Sequence, residues 1–290
     1  MTTSALTSAD QIHLTRRSAS RRGVTSAIKG KQTFARSLRS EWLKLVSLRS
    51  TWVTSAITVA VMVLFGASTA VGYHGVAEKA DEAKYEITSG APFGYIVVAV
   101  LAALLVTSEY ASGQIRSTLT ATPHRGRVLM AKAAVVAVFG FALGAVSTMA
   151  TWAATLPFLK GDAGSLTSSG YLGFFWGSGL TFAAIALMGL AYGFLLRSTA
   201  GAITTVVVIL FVIMVPVQIM AAQWDWATEL AGLLPTSADA AITDPFALAS
   251  TWGVSGTATF LSQAQTALVF LAWTVLPLPI AAAVFCKRDA

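Results

Sequence analysis

The chain has 290 residues, 55% of them hydrophobic and 11% charged, with a mean hydropathy of +0.69. A soluble domain carries about a quarter charged residues, so this composition excludes one and points to a polytopic membrane protein. The formal net charge of +7 would suggest nucleic acid in a soluble chain, but here the bases flank long apolar runs, so topology accounts for them and no nucleic-acid partner is expected. Cys286 is the one cysteine, which rules out an intrachain disulfide or a cysteine metal cluster.

Residues 1–33 are rich in Ser, Thr and Arg and nearly free of acid. They have no apolar core, so they read as a disordered basic cytosolic tail rather than a secretory signal. Phe34, Leu38, Trp42, Leu45 and Val46 then recur with a helical period, with Arg36, Arg39 and Lys44 mostly off that stripe. A basic amphipathic helix over 34–50, with a tryptophan just before an apolar run, is expected to lie in the headgroup plane. A simple extension of the first span is the alternative.

Gaps between charges mark the spans, because about twenty apolar residues cross a bilayer. They fall near 51–71, 92–106, 132–160, 171–196, 200–222 and 267–285. Arg197 interrupts a long apolar run, and an arginine at a span centre costs about 2.5–3.5 kcal/mol, so it marks a tight turn. The fold class is all-α with six transmembrane helices; a seventh span within 245–263 is a weak alternative because of its Gly, Ser and Thr content.

With the N-terminus inside, seventeen of the twenty bases fall on cytosolic segments and nine of the thirteen acids on outer ones. Both termini are therefore expected in the cytoplasm. The six-span domain is 51–290, with an outer segment at 223–264. Its cytosolic loop, 107–132, is a polar island, TSEYASGQIRSTLTATPHRGRVLMAK, between two uncharged runs.

Gly253-Val254-Ser255-Gly256 resembles a serine-protease motif, but His13, His74 and His124 all lie outside the spans, so the histidine base that chemistry needs is missing. No phosphate loop or HExxH occurs. No catalytic residue, cofactor or metal site is expected in this chain. The span interiors carry no acid, base or histidine, which argues against an ion-coupled carrier. The pairs Gly140/Gly144, Gly173/Gly177 and Gly189/Gly193 suit close helix packing, within one subunit or across a dimer.

Glu109-Tyr110, Gly113, Ile115-Arg116, Pro123, Arg125 and Lys132 together resemble the loop after the second span in permease subunits of type-two ATP-binding-cassette (ABC) exporters. The stretch Glu41-Trp42, Lys44-Leu45, Ser47, Arg49 to Trp52 is similar to the elbow that opens many of these bacterial permeases. Leu234-Pro235 with Ala238 to Ala241 resembles their outer segment, and Lys287 to Ala290 their ending. Gln114 departs from the family, which more often has Thr there.

The resemblance implies a separate cytosolic ATPase that binds ATP and Mg. It also implies a second permease chain, in a homo- or heterodimer, and a bacterial cytoplasmic membrane. By the same resemblance the 107–132 loop forms a coupling helix docking on the ATPase, through Glu109, Tyr110, Gly113, Arg116, Arg125 and Arg127. The interfacial helix with Glu41, Trp42, Lys44 and Arg49 flanks that contact, and short re-entrant helices lie between spans five and six. Glu109 is expected to pair with Arg116, or with Lys44 or Arg49. A non-transporting scaffold or sensor, and a stand-alone carrier, remain the other readings.

Overall fold

The computed structural model describes residues 33–122, 124–249 and 261–287. The basic tail, the Gly253–Gly256 motif, most of the weak seventh-span stretch and the last three residues lie outside them. The described residues are helical, with no strand.

Helix α1 covers Phe34–Ser47 and α2 Arg49–His74. A 3₁₀ segment, Ala77–Thr88, leads into α3, Ala91–Ala111. The polar island folds as the short α4, Gln114–Ala121, and the first turns of α5, Arg125–Leu159. Next come α6, Ser169–Leu196, and α7, Thr199–Ala221. Three short helices follow: α8 Asp225–Gly232, α9 Pro235–Ala238 and α10 Ala240–Thr243. The last span is α11, Gln263–Val275, continued by α12, Pro277–Lys287.

Among the described residues, six helices are long and apolar enough to cross a membrane: α2, the 3₁₀ segment with α3, α5, α6, α7, and α11 with α12. This is the architecture the charge gaps predicted, with bounds shifted by a few residues. Arg197 does sit in the turn between α6 and α7, in the left-handed region at φ 51°. The acidic stretch before α3 is a 3₁₀ helix that buries Ala83 and Ile87 on one side.

Helix α6 is the centre of the bundle. Its apolar stretch is 67% buried, against 22% for α2 and for the last span, whose outer faces are left for lipid. The glycine pairs explain how the neighbours come so close. A Cβ on Gly189 would lie 2.3 Å from the Ala99 carbonyl oxygen of α3, and one on Gly144 would lie 2.6 Å from that of Ser178 on α6. All three pairs pack inside the subunit, which selects the first of their two readings.

Two spans are broken by proline chemistry. Pro216 offers no N–H and crowds the carbonyl four residues back. The ladder just before it widens to a π-turn at Val208–Val212, where Ile213 N–H donates to the Val208 oxygen at 3.0 Å. Pro277 likewise divides α11 from α12.

The stripe on α1 divides instead of forming one face. Leu45 is buried, whereas Phe34 and Trp42 stay exposed, and the buried partner of Leu45 on the inward side is Glu41. The face of α1 that meets the bundle therefore carries an acid, which periodicity alone did not show.

Candidate functional site

Four charged side chains converge where α1 crosses the end of α3 and the start of α5. Glu41 and Lys44 stand three apart on α1, which puts them on one face, and their side chains meet at 2.7 Å. Glu109 comes from the last turn of α3, and Lys132 from two turns inside α5. Lys132 Nζ donates to Glu41 Oε2 at 2.6 Å, to Glu109 Oε1 at 2.7 Å and to the Leu105 carbonyl at 3.5 Å. Lys44 Nζ donates to Glu41 Oε1 and, at 3.0 Å, to Glu109 Oε1.

Glu41, Glu109 and Lys132 are each less than 8% exposed, while Lys44 keeps one side open. Two acids and two bases cancel, which is what makes burial tolerable: an uncompensated buried charge costs several kcal/mol. Burial pushes the Glu41 carboxyl up, but Lys132 and Lys44 outweigh it and hold the group below its ordinary range. Burial pushes Lys44 down, but Glu41 and Glu109 outweigh that and raise it. The sign follows in each case. The Glu41 contribution is present at neutral pH and lost as pH falls through its depressed value. The Lys44 contribution is present at neutral pH and lost only in strong alkali. Glu109 Oε2 is buried and lacks a hydrogen-bond partner among the described residues. A cavity of about 340 Å³ lies beside the square, walled by Leu45, Leu48, Leu105, Val135 and Val136.

Gly113 ends α3 and starts α4 at φ 71°, a left-handed conformation that glycine adopts without strain. Helix α4 is anchored by the buried Ile115 and leaves Gln114, Arg116, Ser117 and Thr120 exposed. Arg125 Nη1 donates to the Phe285 carbonyl at 3.1 Å and ties α5 to α12. The Arg197 guanidinium lies over the Tyr110 ring, 5.1 Å from its centre, and Thr199 donates to Thr107 at 2.8 Å, so the α6–α7 turn is fastened to the end of α3.

The predicted site residues therefore separate into two groups. Glu41, Lys44, Glu109 and Tyr110 are built into contacts between helices. Arg116, Trp42 and Arg49 are exposed, and Arg127 is half-buried. Of the three expected partners of Glu109, only Lys44 is found; Arg116 and Arg49 are not its partners. Sequence reasoning missed Lys132 as the centre of the square and Arg197 as the cap on Tyr110. The available signal was spacing: Lys132 closes the island that Glu109 opens, each at the edge of an uncharged run.

Among the described residues the chain is all-helical, with six helices able to span a membrane and a charged knot joining α1, α3 and α5. Residues 37–216, from α1 to the last turns of α7, match the family described as ABC-2 family transporter protein. The chain belongs to that family and is a multi-pass permease subunit of the kind that works with an ATPase partner. The square lies wholly inside the matched stretch; α8 to α12 lie beyond it. No curated protein matches the chain.

Proposed function

We propose that this chain is the membrane subunit of an ATP-driven exporter in a bacterial cytoplasmic membrane, with both termini in the cytoplasm. It pairs with a second permease chain and receives force from a cytosolic ATPase through α4. The ATPase holds ATP and Mg, and this chain supplies no catalytic residue.

The observation that carries the reading is the buried square of Glu41, Lys44, Glu109 and Lys132 beside the polar face of α4. A partner pushing on Arg116 and its exposed neighbours acts on α3 through the two-residue turn Ser112-Gly113 and on α5 through its first turns. The square fastens α1, α3 and α5 to one another, so the push moves three helix ends together. The Tyr110–Arg197 contact extends the linkage to α6 and α7. Charged pairs at a desolvated joint have directional hydrogen bonds, which an apolar contact lacks, so the angle between these helices is held as force passes.

The test is co-expression with a candidate ABC ATPase subunit, purification of the complex, and measurement of permease-dependent ATP hydrolysis. Arg116→Ala should leave expression and membrane insertion intact and lower that rate. A scaffold or sensor would leave hydrolysis indifferent to the permease, and a stand-alone carrier would co-purify with no ATPase.

A further inference from the structure

A second buried acid lies at the opposite end of the bundle. Tyr95 stands one turn into α3, and Glu109 fourteen residues further on, about 21 Å along the axis. Tyr95 is 1% exposed, and its hydroxyl donates to Asp239 Oδ2 at 2.5 Å. Asp239 is the joint between α9 and α10, in the stretch that links the fifth and sixth spans. The residue as a whole keeps some exposure, but its carboxyl is enclosed by neighbouring atoms.

Among the described residues, no cation compensates it. Helices α7, α9, α10 and α11 contain no titratable side chain. Helix α6 carries only tyrosines, of which Tyr171 is engaged with the Lys84 carbonyl and Tyr192 lies in the other half of the helix. Helix α3 offers Tyr95 here and its one acid, Glu109, at its far end. Asp225 and Glu229 on α8 are exposed, and Asp244 accepts from the backbone of Leu248 and Ala249.

The other ties that hold this stretch to the bundle are neutral. Thr243 shares a hydrogen bond with Thr181 at 3.0 Å, Gln263 donates to the Ala241 and Pro245 carbonyls, and Trp273 donates to the Leu233 carbonyl. None of them ionises in the physiological range. The Asp239–Tyr95 contact alone among these ties does.

We propose that Asp239 is a proton-binding site, and that the α9–α10 stretch is held against α3 while its carboxyl carries a proton and is released as the carboxyl ionises. Burial drives the carboxyl up from an ordinary 3.8 to about 7, with the Tyr95 hydroxyl and the Ala240 backbone holding it lower than burial alone would. The docked form keeps its proton between these two values, whereas a released, hydrated carboxyl does not. Raising pH through that window therefore weakens docking, by up to about a thousandfold in the docked-to-released ratio, and has no further effect above it. With the proposed orientation, the pH sensed is that outside the cell.

The test uses the full chain in nanodiscs of phosphatidylethanolamine and phosphatidylglycerol, with Cys286→Ser and spin labels on cysteines placed at Ser89 and Ser237. The expected result is a short label distance at pH 5 and a growing longer population toward pH 8. Asp239→Asn, neutral and of the same shape, should stay short throughout. Infrared difference spectra should contain one carboxyl titrating near neutrality that Asp239→Asn abolishes, and Tyr95→Phe should move it to higher pH. Glu86 is another acid on the 3₁₀ segment that leads into α3, so Glu86→Gln is the control and should leave the signal in place. A neutral-range signal that survives Asp239→Asn, or a label distance that does not change between pH 5 and 8, would overturn the proposal.

Discussion

The two ends of the bundle both draw acids among packed helices, and they treat them in opposite ways. At the α1 end, Glu41 and Glu109 are met by Lys44 and Lys132 in a charge-balanced square. At the other end, Asp239 is met by a tyrosine hydroxyl and the Ala240 backbone, with no cation beside it among the described residues. The first arrangement balances its charges within itself; the second is neutral only while it holds a proton. A joint that transmits force needs the first property, and a contact that must let go needs the second.

The comparison breaks most visibly at Lys132. Lys132→Met leaves two buried carboxylates with one half-exposed lysine, and removing one partner of a buried pair costs about 3–5 kcal/mol. Thermal unfolding of the detergent-solubilised chain should fall sharply, and a midpoint near the parent's would mean that the square is not buried. At the opposite end, Asp239→Asn should flatten the fall in stability that the parent shows as pH rises from about 4 to 7, and equal slopes would contradict the lone-carboxyl account. A smaller effect is expected from Thr181→Val, which strips Thr243 of its buried partner at a cost of about 1–3 kcal/mol. Smallest of all, Arg116→Ala lies on the exposed face of α4 and should change stability by no more than about 0.5 kcal/mol while lowering permease-dependent ATP hydrolysis.

The spans were legible because an uncharged run is a strong signal when every charge in lipid is costly. The Arg197 turn was legible for the same reason. The 3₁₀ segment before α3 was not, since its acids marked only a charged gap between two spans, while Ala83 and Ile87 supply a buried side too short to register as a period. In the site, Glu109 with Lys44 was within reach because both stood at a membrane edge. Lys132 was taken for one more base of the island, although α5 begins seven residues earlier and carries it into the contact with α1 and α3. Asp239 was counted among outer acids; only the docking of α9 and α10 on Tyr95 makes it a buried group. Pairings across distant segments decide these cases, and no local pattern encodes them.

The central claim is that the square holds the helix ends together while the ATPase works on α4. Glu109→Gln keeps the size of the side chain and one acceptor oxygen but removes the charge shared by Lys44 and Lys132. The direct measurement is permease-dependent ATP hydrolysis by the purified complex in nanodiscs, with the ATPase-to-permease ratio checked on the same sample. The account predicts an intact complex whose rate falls by roughly tenfold, the equivalent of about 1.4 kcal/mol. An intact complex that hydrolyses ATP at the parent's rate would contradict it and leave the square a structural fastening alone.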